Sequence, residues 1–104
     1  MSHETNIDFL LELEQIVQER ISNLDTGSYT AKLVASGIER VAQKLGEEAI
    51  EVALASVAQN RTDALRDEVA DLVYHLIVLL AVKGIALTEI TELLTERHRG
   101  RTVP

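Results

Sequence analysis

The chain has 104 residues and a formal net charge of −7, with 46% hydrophobic and 26% charged residues. This length fits one domain, and the composition is that of a globular rather than a disordered protein. The negative charge argues against nucleic acid or an anionic membrane as the main partner, and the absence of cysteine excludes a disulfide framework and a thiolate zinc site.

The N-terminal segment MSHETNIDFL lacks the basic and apolar parts of a secretion signal. The longest nearly apolar run, at 72–82, is too short to span a bilayer and contains a histidine. The sequence therefore predicts a cytoplasmic protein with a single domain over 1–104. Its core is expected at 5–97 and a frayed tail at 98–104.

The first predicted element is an amphipathic helix over 7–24, because its apolar residues recur at spacings of three and four. They are Leu10, Leu13, Val17, Ile21 and Leu24. The polar segment NLDTGS at 23–28 predicts a turn. The next segment, 29–37, fits either a short helix or a loop.

Two long helices are predicted next, over about 38–59 and 63–83, with the polar break QNRTD between them. Lys83 and Gly84 form a favourable helix end, and Thr88 is the predicted N-cap of a last helix. No alternating strand pattern competes with these helices. Short connections between amphipathic helices predict an all-α, antiparallel bundle of four to five helices.

The 38–59 helix carries a charged stripe within an arc of about 100° on a helical wheel. Its members are Arg40, Lys44, Glu47, Glu48 and Glu51. Apolar residues lie on both sides of the stripe, with Val41, Leu45 and Val52 on one side and Ile50 and Leu54 on the other. An ordinary surface helix has one apolar face. This helix is therefore expected to pack against two partners, with the stripe lining a cleft.

The 63–83 helix repeats the design, since Glu68, Asp71 and His75 share one face at spacings of three and four. Most other positions beyond Leu72 are apolar, which is typical of a buried helix. If the two helices form a hairpin, five carboxylates converge and repel one another unless a cation or protons are present. Ligation by oxygen alone favours Mg²⁺, with Mn²⁺ as an alternative.

A solvated acidic surface is the alternative interpretation, because acidic residues at these spacings are common on exposed helices. No glycine-rich phosphate loop is present, so a carboxylate-bound metal would have to bind phosphates directly. Lys44 and Arg40 could neutralise phosphate oxygens. They could equally form i, i+4 pairs with neighbouring acids.

The acidic pattern resembles the signature of the all-α nucleotide pyrophosphohydrolases of MazG type. It reads Glu47-Glu48-x-x-Glu51, then sixteen residues, then Glu68-x-x-Asp71. Four further segments are similar to the phosphoribosyl-ATP pyrophosphohydrolase family of histidine biosynthesis. These are SYTAKL at 28–33, KLGEEAIEV at 44–52, ADLVYHLIVLLAVKGI at 70–85 and LTEITELLTERH at 87–98.

This resemblance implies Mg²⁺-dependent hydrolysis of the α–β phosphoanhydride of phosphoribosyl-ATP, giving phosphoribosyl-AMP and pyrophosphate. It also implies a homodimer or higher homo-oligomer. The implied metal-binding and catalytic set is Glu47, Glu48, Glu51, Glu68 and Asp71, one of which would orient or deprotonate the attacking water. Weaker candidates for contacts with substrate phosphate are Lys44, Lys32 and Arg40.

Other residues near the motifs have simpler interpretations. Tyr74 and His75 are expected to be core residues, and Ser28 and Thr30 could cap the segment that follows them. Three competing functions remain open at this point. They are a house-cleaning nucleoside triphosphate pyrophosphohydrolase, a di-iron carboxylate bundle and a non-enzymatic acidic oligomerisation module.

Overall fold

The computed structural model describes residues 6–24 and 27–99, which form five α-helices and, within these ranges, no β-strand. The helices are α1 (Phe9–Ser22), α2 (Tyr29–Ala35), α3 (Ile38–Val57), α4 (Thr62–Val82) and α5 (Leu87–Arg99). The predicted all-α class is confirmed. The long helices α3 and α4 pack along their length as a hairpin joined by the short segment 58–61.

The core is aliphatic and draws on four of the helices. Its buried members are Val17 of α1, Leu33 of α2, Val41 of α3, and Ile77 and Val78 of α4. Burying each such side chain stabilises the fold by about 1.5–3 kcal/mol. The core therefore fixes α1 and α2 against the α3–α4 hairpin.

The helix bounds agree with the hydrophobic spacing to within two residues for α1, α3 and α4. The segment left undecided at 29–37 is helical from Tyr29 to Ala35. Ser28 caps it, because its Oγ accepts a hydrogen bond of 3.0 Å from the amide of Ala31. Gly84 follows α4 with a φ of 73°, a left-handed conformation that glycine adopts without strain and that ends the helix as predicted.

The prediction that Thr88 caps the last helix is wrong, because α5 begins one residue earlier, at Leu87. Carboxylates satisfy the free amides at this end. Glu14 of α1 accepts a hydrogen bond of 2.8 Å from the amide of Leu87, and Glu89 accepts one of 3.0 Å from Ala86. A long-range partner therefore sets the start of α5.

The end of α5 also differs from the expectation of a frayed tail from 98 onwards. His98 and Arg99 are helical, which is consistent with the favourable interaction of basic side chains with a helix C-terminus. The remainder of that tail, 100–104, lies outside the described residues.

None of the described helices alone is long and apolar enough to cross a membrane. Only α4 and α5 taken together meet that requirement, with a bend of 108° between them.

The two apolar flanks of α3 have different surroundings. Val41 is buried in the core, whereas Ile50 and Leu54 are 61% and 64% exposed. The composition of α4 predicted a helix buried on all sides, but Leu76 remains 41% exposed. The flank with Ile50 and Leu54 is therefore not covered by another described helix of the same chain, although α3 contacts both α2 and α4.

Candidate metal centre

The α3–α4 hairpin brings carboxylates from two helices together. One oxygen each from Glu48, Glu68 and Asp71 lies within 4.8 Å of the other two. Glu68 and Asp71 share a face of α4 because they are three residues apart, and Glu48 approaches them from α3. We call these three residues the carboxylate triad. It contains three of the five residues in the predicted metal-binding set.

Two oxygens of the triad are enclosed without a hydrogen-bond partner among the described residues. They are Oε1 of Glu48 and Oε1 of Glu68, and Glu48 as a whole is only 5% exposed. Leaving a buried acceptor unsatisfied costs about 1–3 kcal/mol, and more when it is charged. A cation between the carboxylates would satisfy these oxygens. A donor set made only of oxygen fits a hard divalent cation.

Glu51, a fourth member of the predicted set, lies beside the triad and hydrogen-bonds to Glu68. This hydrogen bond raises the pKa of Glu68. Desolvation and the negative charges of Glu51, Glu48 and Asp71 act in the same direction. A hydrogen bond between two carboxyl groups requires that one of them carries a proton. Without a metal, a proton held between Glu51 and Glu68 would relieve part of the repulsion.

Glu47, the fifth residue of the set, is not brought into the triad. It is contacted by three side chains of its own helix. Gln43 Nε2 donates a hydrogen bond of 3.2 Å to it, Lys44 Nζ lies at 4.0 Å, and Arg40 Nη1 lies at 3.9 Å. Glu47 and Glu48 thus lie on opposite edges of the charged stripe, and only the edge with Glu48 faces α4.

Lys44 is the cation nearest the triad, with Nζ at 3.4 Å from Oε2 of Glu48. Burial alone would lower the pKa of Lys44, but the hydrogen bond with Glu48 and the neighbouring acidic groups outweigh it, so the pKa is raised. The i, i+4 pairing considered from the sequence is therefore present. Arg40 lies near Glu47, whereas Lys32 is exposed on α2 and, within residues 6–24 and 27–99, forms no ion pair with the triad.

The similarity of the chain to known proteins agrees with this arrangement. Residues 10–98 match the family model described as phosphoribosyl-ATP pyrophosphohydrolase. The chain belongs to the phosphoribosyl-ATP pyrophosphohydrolase family. It is 50% identical over 93 residues to a phosphoribosyl-ATP pyrophosphatase of Agrobacterium fabrum, a similarity that covers 89% of the chain and 85% of that protein.

Longer proteins are also similar to the chain. The histidine biosynthesis bifunctional proteins HisIE of Escherichia coli K12 and Xanthomonas axonopodis pv. citri are 50% and 52% identical to the chain, each over 91 residues. These similarities cover 88% of the chain but only 44% of either bifunctional protein. The chain therefore spans less than half the length of these relatives.

Tyr29 is also a neighbour of the triad. Helical spacing did not single it out. Its hydroxyl lies 2.8 Å from Nε2 of His75, and Nδ1 of His75 lies 2.7 Å from the backbone oxygen of Asp71. Burial raises the pKa of Tyr29, with Glu48 acting in the same direction and Lys44 and Arg40 opposing it. No periodicity within one helix links residue 29 to this face of α4, so only the tertiary contact reveals it.

Tyr74 is partly buried and His75 is buried, in agreement with the expectation that they belong to the core. The Tyr74 hydroxyl is hydrogen-bonded to Oγ1 of Thr30, and the rings of Tyr74 and His75 meet edge to face at 5.6 Å. His75 thus has two roles, since it fills part of the core and also contacts Tyr29 beside the triad.

A pocket of about 230 Å³ extends the site toward the tip of the hairpin. It is lined by Glu51, Leu54, Ala55, Ala58, Arg61 and Glu68. Arg61 adds a cation to the acidic side of the pocket, and the sequence patterns did not single it out because it lies in the polar break between the helices. The pocket combines an apolar wall with charged groups.

Proposed function

We propose that the chain hydrolyses the α–β phosphoanhydride of phosphoribosyl-ATP to phosphoribosyl-AMP and pyrophosphate, as a step of histidine biosynthesis. The observation that carries the proposal is the carboxylate triad with two enclosed, unpartnered oxygens. It occurs in a member of the phosphoribosyl-ATP pyrophosphohydrolase family. A purely structural acidic face would have no reason to enclose carboxylate oxygens that lack partners.

We assign the triad to a divalent metal, with Mg²⁺ preferred and Mn²⁺ as an alternative. Glu48, Glu68 and Asp71 would hold it. Such an ion lowers the pKa of a bound water and neutralises developing phosphate charge. Glu47, which is held by its own helix neighbours, is proposed for a supporting role at the edge of the site.

Glu51 is the proposed proton acceptor for the attacking water. It lies beside Glu68 and lines the pocket next to the triad, where a water activated by the metal would be within its reach. The water oxygen forms a bond to phosphorus as the α–β P–O bond breaks, and the water proton passes to Glu51. Pyrophosphate then leaves with the bonding electron pair of the broken bond.

Lys44 is the proposed main contact for substrate phosphate, since its ammonium already lies 3.4 Å from a triad carboxylate. An incoming phosphate offers it a stronger anionic partner than Glu48, and its flexible stem allows the exchange. Arg40 and Lys32 are assigned weaker phosphate contacts at greater distance from the triad.

A second copy of the chain is the proposed partner of the exposed flank of α3. Ile50, Leu54 and Val57 are spaced four and three residues apart and are 61%, 64% and 79% exposed, so they form one apolar stripe. Leu54 also lines the pocket beside Glu51, so a homodimer formed here would close that side of the site. Sedimentation velocity should give a dimer for the wild type and for Leu11→Gln, and a monomer for Leu54→Gln. A monomeric wild type would refute this assembly.

The activity is tested by pyrophosphate release from phosphoribosyl-ATP in Mg²⁺, measured beside a panel of deoxynucleoside triphosphates. Glu51→Gln should lose turnover by at least about 100-fold, the usual contribution of a general base, with an unchanged circular dichroism spectrum. Asp67→Asn is the matched control, because this exposed residue lies next to Glu68 and the variant loses the same charge. A preference for deoxynucleotides, or an active Glu51→Gln variant, would contradict the assignment.

A further inference from the structure

Hydrogen-bond polarity fixes the direction of the contacts between Tyr29, His75 and Asp71. The backbone oxygen of Asp71 can only accept, so Nδ1 of His75, 2.7 Å away, must carry a proton. In the neutral ring Nε2 is then an acceptor, and the Tyr29 hydroxyl donates to it across 2.8 Å. The proton of the Tyr29 hydroxyl is thereby directed away from the triad, and its oxygen lone pairs remain available as acceptors.

The groups near that oxygen include one suitable donor. Tyr29 interacts electrostatically with Lys44, Glu48 and Arg40. A carboxylate is only an acceptor, so Glu48 cannot donate to the Tyr29 oxygen. The ammonium of Lys44 can donate to the Tyr29 oxygen, and the charge interaction with Tyr29 acts to raise the pKa of Lys44. Its side chain is 28% exposed and pairs with Glu48 at 3.4 Å, and its flexible stem allows the ammonium to change partners.

We infer that Tyr29, oriented by His75, is the positioning residue that holds Lys44 in the site when Lys44 exchanges Glu48 for substrate phosphate. The inference rests on the proposed function, in which Lys44 contacts phosphate. The hydrogen bonds then run in one direction, from Lys44 to Tyr29, from Tyr29 to His75, and from His75 to the backbone of Asp71. Because the last acceptor belongs to Asp71 of the triad, these hydrogen bonds fix the position of the phosphate contact relative to the carboxylates.

The fold supplies a matched control at the neighbouring positions of the same two helices. Tyr74 precedes His75 and Thr30 follows Tyr29, and these two residues make a second hydrogen bond between α4 and α2. Thr30 is fully buried, so this bond lies inside the protein. Tyr29 is 50% exposed. Removing either tyrosine hydroxyl deletes one α2–α4 hydrogen bond, but of the two only Tyr29 interacts electrostatically with Lys44.

The test compares Tyr29→Phe with Tyr74→Phe. Tyr29→Phe should raise KM for phosphoribosyl-ATP about tenfold, the size expected for a lost hydrogen bond to a charged group, with less than about a twofold change in kcat. It should weaken the binding of pyrophosphate in Mg²⁺, measured by calorimetry, by a similar factor. Tyr74→Phe should lower the melting temperature and leave KM and pyrophosphate affinity at the wild-type values.

A double-mutant cycle with Lys44→Met identifies the route of the effect. If Tyr29 acts through Lys44, adding Tyr29→Phe to Lys44→Met changes KM and pyrophosphate affinity by less than about twofold. The inference would be overturned if the effects of Tyr29→Phe and Lys44→Met on KM and pyrophosphate affinity multiply in the double variant. It would also be overturned if Tyr29→Phe only loses thermal stability. A wild type that binds pyrophosphate without hydrolysing phosphoribosyl-ATP would refute the proposed function alone, because the binding cycle would still decide the role of Tyr29.

Discussion

Replacing Glu48 by glutamine should have opposite effects on stability without and with metal. In the metal-free protein the enclosed Oε1 of Glu48 has no partner, and this unsatisfied buried acceptor costs about 1–3 kcal/mol. A neutral amide removes the charge, and its NH₂ group can donate to the neighbouring carboxylates. The ion pair with Lys44 at 3.4 Å is lost, which costs up to about 1 kcal/mol for a partly exposed pair. The variant should therefore be more stable by about 1 kcal/mol, which raises Tm by roughly 4–8 °C in a domain of this size.

Saturating Mg²⁺ should reverse that order. A ligand at 100 times its dissociation constant stabilises the folded state by about 2.7 kcal/mol, and the wild type should gain this amount. Glu48→Gln loses a charged ligand from the triad and should gain little. Thermal unfolding followed by circular dichroism, in EDTA and over a Mg²⁺ titration, gives both comparisons in one experiment.

Asp67→Asn controls for the change in net charge, because it should melt like the wild type and keep the full response to Mg²⁺. Two results would refute the reasoning. A Glu48→Gln variant that melts well below the wild type in EDTA would mean that the carboxylate is already satisfied without metal. An equal Mg²⁺ response in variant and wild type would mean that Glu48 is not a ligand.

Two further predictions concern the triad and the start of α5. The pKa of Glu68 is raised in the folded protein, so its contribution to metal-free stability is fully present below its ordinary pKa of 4.5 and is lost as pH rises through the raised pKa. Melts in EDTA should therefore show the stability of Glu68→Gln increasing relative to the wild type as pH rises from 4.5 through the raised pKa, and a constant difference would contradict this. Glu14→Ala removes the acceptor for the Leu87 amide and should destabilise the protein by about 0.5–2 kcal/mol. Urea unfolding measures that loss, and faster amide exchange at the first turn of α5 should accompany it.

The elements that could be predicted from the sequence are those set by local spacing. The bounds of α1, α3 and α4 follow from apolar residues three and four apart, a pattern that needs no knowledge of neighbouring helices. The start of α5 could not be predicted in this way. Its amide partner is Glu14, which lies 73 positions earlier in the chain, so only the tertiary fold brings donor and acceptor together.

The candidate site also contains residues that local spacing predicts and residues that only tertiary contacts bring together. Spacing places Glu68 and Asp71 on one face of α4, and the hairpin brings Glu48 to them. A helical wheel gives Glu47 and Glu48 as opposite edges of one stripe, but it does not say which edge the neighbouring helix covers. Tyr29 could not be linked to the site by helical spacing, because its contact with His75 joins residues 46 positions apart.

The charges around the triad predict that metal binding releases a proton. Glu48, Glu51, Glu68 and Asp71 bring four carboxyl groups together, while one shared proton between Glu51 and Glu68 and the ammonium of Lys44 supply two positive charges. The negative charge that remains favours the binding of a divalent cation. A cation bound to Glu68 competes with the shared proton, because metal ligands must be deprotonated. Calorimetry of Mg²⁺ binding in buffers of different ionisation enthalpy should therefore show release of close to one proton per ion just below the raised pKa of Glu68, where the apo protein still holds that proton. The released fraction should fall as pH rises further, and it should be lost in Glu51→Gln. Binding without proton release near that pKa would show that Glu51 and Glu68 do not share a proton.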